Sequence, residues 1–344
     1  IKVLMYGVGA IGSQIVRLLL RKKGLKIVGA IDASPKKTGK DLGEVIGMKK
    51  PLGVVVSGDS KRLLSSVDVD VAIHATSSFL KDVYPQLIHL IEHSVNVIST
   101  CEELSYPYVT DTSLASNLDT LARKYGVSVL GTGINPGFLM DTLPIALSGV
   151  CQEVKSIKVE RVIDAAKRRL PFQKKIGAGL TSEEFKEMRE KKKVTGHVGL
   201  KESIAMIADA LGLTLQKIKV EPVKPVLAEK PVESREIKVD MGKVAGLTQS
   251  AYGLIDGKPF VTLIFKAYIG AEEEYDSITI EGTPKIHQKI VPCIHGDLAT
   301  VAMIVNSIPK VINATPGLKT MKDLPVPSAV IDDIRHYLKE TEAP

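Results

Sequence analysis

The chain has 344 residues, 44% hydrophobic and 25% charged, with no tryptophan and a formal net charge of +7. That length accommodates two domains, each with its own core, and the composition excludes a disordered or fibrous chain. No apolar run approaches the length of a membrane span and the sequence opens on a strand pattern, so neither a spanning helix nor a secretory or transit segment is expected.

Lys2-Val3-Leu4-Met5-Tyr6 reads as a first buried strand; Gly7-Val8-Gly9-Ala10-Ile11-Gly12 follows at once, and Ile15, Leu18 and Leu19 then recur at helical spacing. Glycines so spaced between a strand and a helix form a dinucleotide fingerprint. The first permits the tight turn, the second lets backbone approach a diphosphate, and the third lets helix pack on strand. The diphosphate then meets the unpaired N–H groups and dipole of the helix start, which makes Gly7, Gly9, Ala10, Ile11 and Gly12 candidate cofactor contacts. Lys26 to Ile31 reads as the second strand, and Asp32 ends it where a carboxylate accepts hydrogen bonds from the adenosine ribose. That placement favours NAD. Lys36 and Lys37 follow closely and suit a 2′-phosphate, so the cofactor is NAD or NADP.

Further strands are expected at Gly53–Val56, Val69–His74, Val95–Ser99 and Val127–Leu130, with helices over Leu80–His93 and Leu114–Tyr125. This alternation is that of a doubly wound parallel sheet, an α/β Rossmann domain, whose ligands lie beyond the carboxyl ends of the strands. Ala75, Thr76 and Ser77 should therefore run past the diphosphate and the nicotinamide ribose, while His74, ending an apolar strand, reads as a satisfied structural histidine. Thr100 and Cys101 occupy the next strand end, and Glu102 and Glu103 follow at nicotinamide depth. A general base belongs there; alternatively, both glutamates begin the next segment and stay solvated. In Gly131-Thr132-Gly133-Ile134-Asn135-Pro136-Gly137-Phe138 the glycines imply close backbone approach, with Asn135 placed to bond nicotinamide or substrate, or the stretch to serve as a rigid hinge.

Past this point the pattern turns β-rich: Val154–Ile163, Ile237–Met241, Leu247–Ile255, Phe260–Ile269 and Tyr275–Glu281, with Asp256-Gly257 as a hairpin turn. With helices over Glu183–Lys192 and Leu200–Leu211, this predicts an α+β domain with a mainly antiparallel sheet. Pro222, Pro225 and Pro231 mark an extended connection. The expected division is 1–134 with a C-terminal return at about 297–344 for the cofactor domain, and 135–296 for a substrate and dimerisation domain. Basic residues crowd between Lys155 and Lys201 but do not alternate with aromatics, which suits solvated helices and an anionic small molecule rather than nucleic acid. Cys101, Cys151 and Cys293 are too sparse for a zinc module or a disulfide framework; free thiols, no metal and a cytoplasmic setting are expected.

These residues resemble a known family. GVGAIGS, ISTCEELSYP, GTGINPGF followed by Met140-Asp141, and HGDLATVAMIVNSIP from His295 to Pro309 are similar to the 2,4-diaminopentanoate dehydrogenases and native amine dehydrogenases, within the dihydrodipicolinate-reductase-like superfamily. The resemblance covers nearly the whole chain. It implies NAD(P)-linked oxidative deamination of 2,4-diaminopentanoate, reversible as reductive amination of ketones with ammonia, in a homodimer. It places the catalytic carboxylate on Glu102, with Glu103 the adjacent choice. Such a substrate carries a carboxylate, and Arg161, with Arg168, Arg169 and His197 behind it, is the expected recognition group, alongside Phe138. Another oxidoreductase of the superfamily or a silent NAD(P)-binding sensor are the alternatives; the Lys-x-x-x-Pro-Ser-Gly-Thr motif of dihydrodipicolinate reductases is not found.

Overall fold

In the computed structural model, which describes residues 1–339, the N-terminal apolar runs become parallel strands. Lys2–Tyr6 (β1), Lys26–Ile31 (β2), Val56–Ser57 (β3), Val71–His74 (β4), Asn96–Ser99 (β5) and Ser128–Gly131 (β6) lie in the order β6-β5-β4-β1-β2-β3. The order changes direction between β1 and β4, the switch point at which such sheets open a crevice. β4 and β6 are buried at every position, so they read as unbroken apolar runs rather than alternating ones. The Leu80–Glu92 and Thr112–Lys124 helices supply Val83, Leu87, Leu90 and Leu118 to a core shared with Val97 and Val129. β3 is shorter than its sequence pattern suggests, because Gly53 turns the chain at φ +73° and leaves Val56 and Ser57 to pair with β2.

The second unit is built on Glu153–Asp164 (β7), Lys217–Val220 (β8), Lys224–Leu227 (β9), Val232–Glu233 (β10), Lys238–Val239 (β11), Val244–Ile255 (β12), Lys258–Tyr268 (β13), Tyr275–Thr283 (β14) and Ile286–Ile290 (β15). Its sheet runs β15-β14-β7-β13-β12-β8, with β9 also on β12, and every pair in it is antiparallel except β7 with β13. Asp256 (φ +49°) and Gly257 (φ +70°) form the two-residue turn that sets Ile255 opposite Lys258. Ile157, Val159, Leu263, Ile278 and Ile280 share one face with Leu200, Ile204 and Ile207 of the Leu200–Ala210 helix.

Two expectations are corrected here. The proline-marked connection contains β9, and Pro225 is tolerated because β9 borders only β12. Of the expected strand at Ile237–Met241, only Lys238–Val239 pairs, in a separate ribbon with Val232–Glu233. The chain then forms the Gly296–Asn306 helix, which packs on the Ala10–Leu19 helix, and Gly317–Lys319 (β16), which joins β6 in parallel. Two compact units result: Ile1–Phe138 with the chain from Gly296 onward, and Leu139–His295. Among the described residues no helix is long and apolar enough to cross a membrane.

Candidate active site

The three fingerprint glycines have different reasons to be glycine. Gly7 sits at φ +95°, and a Cβ there would run into the Ala75 carbonyl; one on Gly12 would run into the Gly7 carbonyl. Those two are required by the protein's own packing. Gly9 has φ −79°, and a Cβ there would meet nothing within 4 Å. The protein itself therefore leaves open space at the start of the Ala10–Leu19 helix, where no side chain caps the helix and no acidic residue lies in the first turn. This open, electropositive cradle fits a dinucleotide diphosphate.

Asp32 lies beside it. Its Oδ2 accepts from Val8 N at 2.8 Å and from Lys37 Nζ at 2.8 Å, and its Oδ1 accepts from Ser34 N at 2.9 Å. Burial raises the carboxyl pKa, but Lys37 and the two backbone donors outweigh it and hold it below the usual carboxylate range. Of the two lysines expected to suit a 2′-phosphate, Lys36 is exposed and Lys37 pairs with Asp32. The side chain one position nearer the Gly39 turn reaches back over the loop, a choice that spacing alone does not reveal.

The loops after β4 and β5 are joined to each other. Thr100 N donates to His74 O (2.9 Å), Glu103 N to Ser78 O (3.2 Å), and Leu80 N to Glu103 Oε2 (2.7 Å). Glu103 thus serves as an acceptor at the start of the Leu80–Glu92 helix, where unpaired N–H groups need one. Glu102 is half-buried and opens the short 3₁₀ turn Glu102–Ser105, which Ser105 Oγ braces by donating to Glu102 O at 2.7 Å. Cys101, expected near the cofactor, turns its thiol into the core with Leu80 and Leu104, and burial pushes its pKa up to about 12. The correction has a simple cause: a side chain between a strand end and a turn alternates inward, leaving only its backbone towards the crevice.

β6 brings a third loop to the same edge. Thr132 N donates to Ser99 O at 2.9 Å, and the loop continues through a cis Asn135–Pro136 bond. Thr132 Oγ1 and both polar atoms of Asn135 are buried with no hydrogen-bond partner. Leaving a buried amide unsatisfied is costly, so these orphans also fit a polar ligand group. Gly7 to Gly12, Asp32, Ala75 to Ser77, Thr100 to Glu102 and Asn135 thus all belong to loops at the carboxyl edge of one sheet. Thr132 is an addition.

The second unit carries most of the residues expected to bind substrate. Arg161 is not an exposed strand-end cation: it is 2% exposed, its Nη1 donates to Asp276 Oδ1 at 3.1 Å, and its Nη2 donates to the Ile294 carbonyl. A guanidinium buried inside a sheet needs a neutralising partner, and Asp276 stands directly opposite on β14. Asp276 is 115 residues away in sequence, so no local signal announces the pair. His197 stacks on Phe265 (4.9 Å, 14°), the β13 residue in register with Arg161. Arg168 is half-buried over the Phe172 ring at 5.5 Å, and Arg169 is exposed at the start of the Leu170–Lys175 helix. Phe138, half-buried, ends the first stretch of the cofactor unit. Among the described residues no cluster of His, Cys, Asp or Glu could hold a metal ion.

Two family models match the chain, over ranges that differ from those of the two compact units. Residues 138–340 match the family described as the 2,4-diaminopentanoate dehydrogenase C-terminal domain, and residues 1–101 match the dihydrodipicolinate reductase N-terminus. The 2,4-diaminopentanoate dehydrogenase of Acetoanaerobium sticklandii is 36% identical over 349 residues, covering 99% of this chain and 98% of that protein. The amine dehydrogenase of Streptomyces virginiae is 22% identical over 362 residues, covering 96% and 98%. Among solved structures, an amine dehydrogenase from Mycobacterium smegmatis superimposes with a TM-score of 0.80 at 29% identity, over 94% of this chain and 96% of that one. A dihydrodipicolinate reductase from Paenisporosarcina sp. TG-14 shares the fold at TM-score 0.54 and 14% identity, over 94% and 98%.

Proposed function

The chain belongs to the 2,4-diaminopentanoate dehydrogenase family, and from that premise we propose that it oxidatively deaminates 2,4-diaminopentanoate at C4. It is an NAD(P)-dependent dehydrogenase of the amine dehydrogenase type, acting on a small molecule. The overall change takes the substrate ammonium, oxidised cofactor and water to 2-amino-4-oxopentanoate, reduced cofactor, ammonium and a proton. The reverse direction is reductive amination.

What supports the assignment of the base is the match of ISTCEELSYP to the family, which puts its catalytic carboxylate on Glu102, together with the task already held by Glu103, which accepts from Leu80 N at a helix start. Glu102 takes a proton from the substrate ammonium, because an ammonium nitrogen has no lone pair to assist loss of hydride from its carbon. The chemistry supplied by a bound nicotinamide is acceptance of that hydride. Once that proton has passed to solvent, Glu102 removes one from water as it adds to the substrate iminium carbon. It hands this proton to nitrogen, so that ammonia departs, and the hydroxyl proton is released as the ketone forms.

The fingerprint loop would hold the diphosphate, Asp32 the ribose hydroxyls, Ala75 to Ser77 and Thr100 the nicotinamide ribose region, and Asn135 the carboxamide. With Val8, Lys37 and Ser34 already donating to Asp32, Lys37 is the cation within reach of a 2′-phosphate, which supports use of both NAD and NADP. For the substrate carboxylate, Arg168 replaces the enclosed Arg161 as the preferred partner. Dimerisation would use the sheet face turned away from the Leu200–Ala210 helix, where Thr248, Ser250 and Tyr252 of β12 stand opposite Lys266, Ile264 and Thr262 of β13. The free thiols Cys101, Cys151 and Cys293 support a reducing, cytoplasmic setting.

The test is a panel of 2-amino-4-oxopentanoate and simple ketones with ammonia, run with NADH and NADPH in parallel. Ammonia-dependent oxidation of the reduced cofactor, fastest with 2-amino-4-oxopentanoate, is expected. Cofactor binding without turnover of any member would favour the silent sensor instead.

A further inference from the structure

His74 ends β4, is 0% exposed, and has no task in the proposed reaction. Its ring is nevertheless fully engaged: Nδ1 lies 2.9 Å from Ser99 Oγ, and Nε2 lies 2.7 Å from Gln86 Oε1 and 3.1 Å from Thr76 Oγ1. Burial pushes its pKa down to about 4, so near neutral pH the ring is uncharged and carries one N–H. Gln86 Oε1 only accepts, which assigns that hydrogen to Nε2 and leaves Nδ1 to accept from the Ser99 hydroxyl. Ser99 Oγ in turn accepts from Cys101 N at 3.1 Å.

The bonds share one direction: Cys101 N–H to Ser99, Ser99 O–H to His74, His74 N–H to Gln86. Cys101 immediately precedes Glu102 and caps its 3₁₀ turn, and no side chain of the turn supplies that cap. The Thr100 N–H donates to the His74 carbonyl (2.9 Å), so His74 holds the chain before Glu102 at two successive amides, once directly and once through Ser99. A buried, neutral, single-tautomer ring makes a stiffer brace than an exposed side chain, because its bonds do not exchange with water.

We infer that His74 and Ser99 are positioning residues for the known reaction: together they fix the turn from which Glu102 reaches the substrate, and so set kcat rather than cofactor affinity. The inference rests on Glu102 being the base. It also predicts that the two ring nitrogens are unequal in importance, since only Nδ1 leads to Glu102.

Asparagine places its amide near the Nδ1 position of histidine, and glutamine places its amide near Nε2, so His74→Asn keeps a partner for Ser99 and His74→Gln removes it. In ammonia-dependent NADH oxidation, His74→Gln and Ser99→Ala are expected to lower kcat about tenfold or more, the scale on which small displacements of catalytic groups act. His74→Asn should retain a kcat several-fold above that of His74→Gln, and the NADH dissociation constant should stay within about twofold of wild type throughout. Equal losses in the two His74 variants, or an undiminished kcat in Ser99→Ala, would overturn the relay. Failure of the base assignment reads out separately, as full activity of Glu102→Gln, whereas the relay is read from Ser99→Ala with Glu102 intact.

Discussion

At the residue scale, the site depends on neighbours that look alike in sequence and differ in space. Glu102 and Glu103 are consecutive, yet only Glu103 is tied to Leu80 N at 2.7 Å. Lys36 and Lys37 are consecutive, yet only Lys37 meets Asp32. The second contrast makes a prediction about the cofactor. Lys37→Ala removes the cation nearest a 2′-phosphate, so the KM for NADPH should rise about tenfold, the value of a hydrogen bond to a charged group. The KM for NADH should change by less than about threefold, because Asp32 keeps its bonds to Val8 and Ser34. Steady-state kinetics with both cofactors checks this; equal effects on the two would remove Lys37 from the 2′ position.

At the element scale, the unit that organises the crevice is strand, glycine turn and helix. Its glycines separate folding from binding. A methyl group on Gly12 would collide with the Gly7 carbonyl, so Gly12→Ala should destabilise the first unit; at Gly9 the same methyl meets only open space. Gly9→Ala should therefore fold with an unchanged melting temperature and yet bind NADH about tenfold more weakly, a loss of about 1.4 kcal/mol. Fluorescence titration beside thermal melting decides it, and undiminished binding would place the diphosphate elsewhere. This element was legible in the sequence because all its information is local: an apolar run, three glycines and a helical period. Asp256-Gly257 was legible for the same reason. The edge strand β9 was not, since Pro225 argues against a strand and only the partner β12 makes one possible. Nor was the burial of Arg161, which is decided by Asp276 across the sheet rather than by any neighbour in sequence.

At the scale of the whole molecule, two units with different sheets divide the work. In the proposed assignment the first would gather cofactor and base at one sheet edge, and the second would supply Arg168 and the sheet face for dimerisation. If that face joins two copies, sedimentation should give twice the 37.1 kDa chain mass, and Ile264→Asp should shift it towards one chain; a wild-type monomer would refute the dimer. The chemistry is decided in the first unit. The most direct measurement is the turnover of Glu102→Gln beside Glu103→Gln in ammonia-dependent NADH oxidation with 2-amino-4-oxopentanoate. Glutamine at 103 can still accept from Leu80 N, so that variant should stay close to wild type. Glutamine at 102 cannot take up a proton, so its kcat should fall roughly a hundred- to ten-thousand-fold while NADH still binds. Full turnover by Glu102→Gln, or the same collapse in Glu103→Gln alone, would contradict the account.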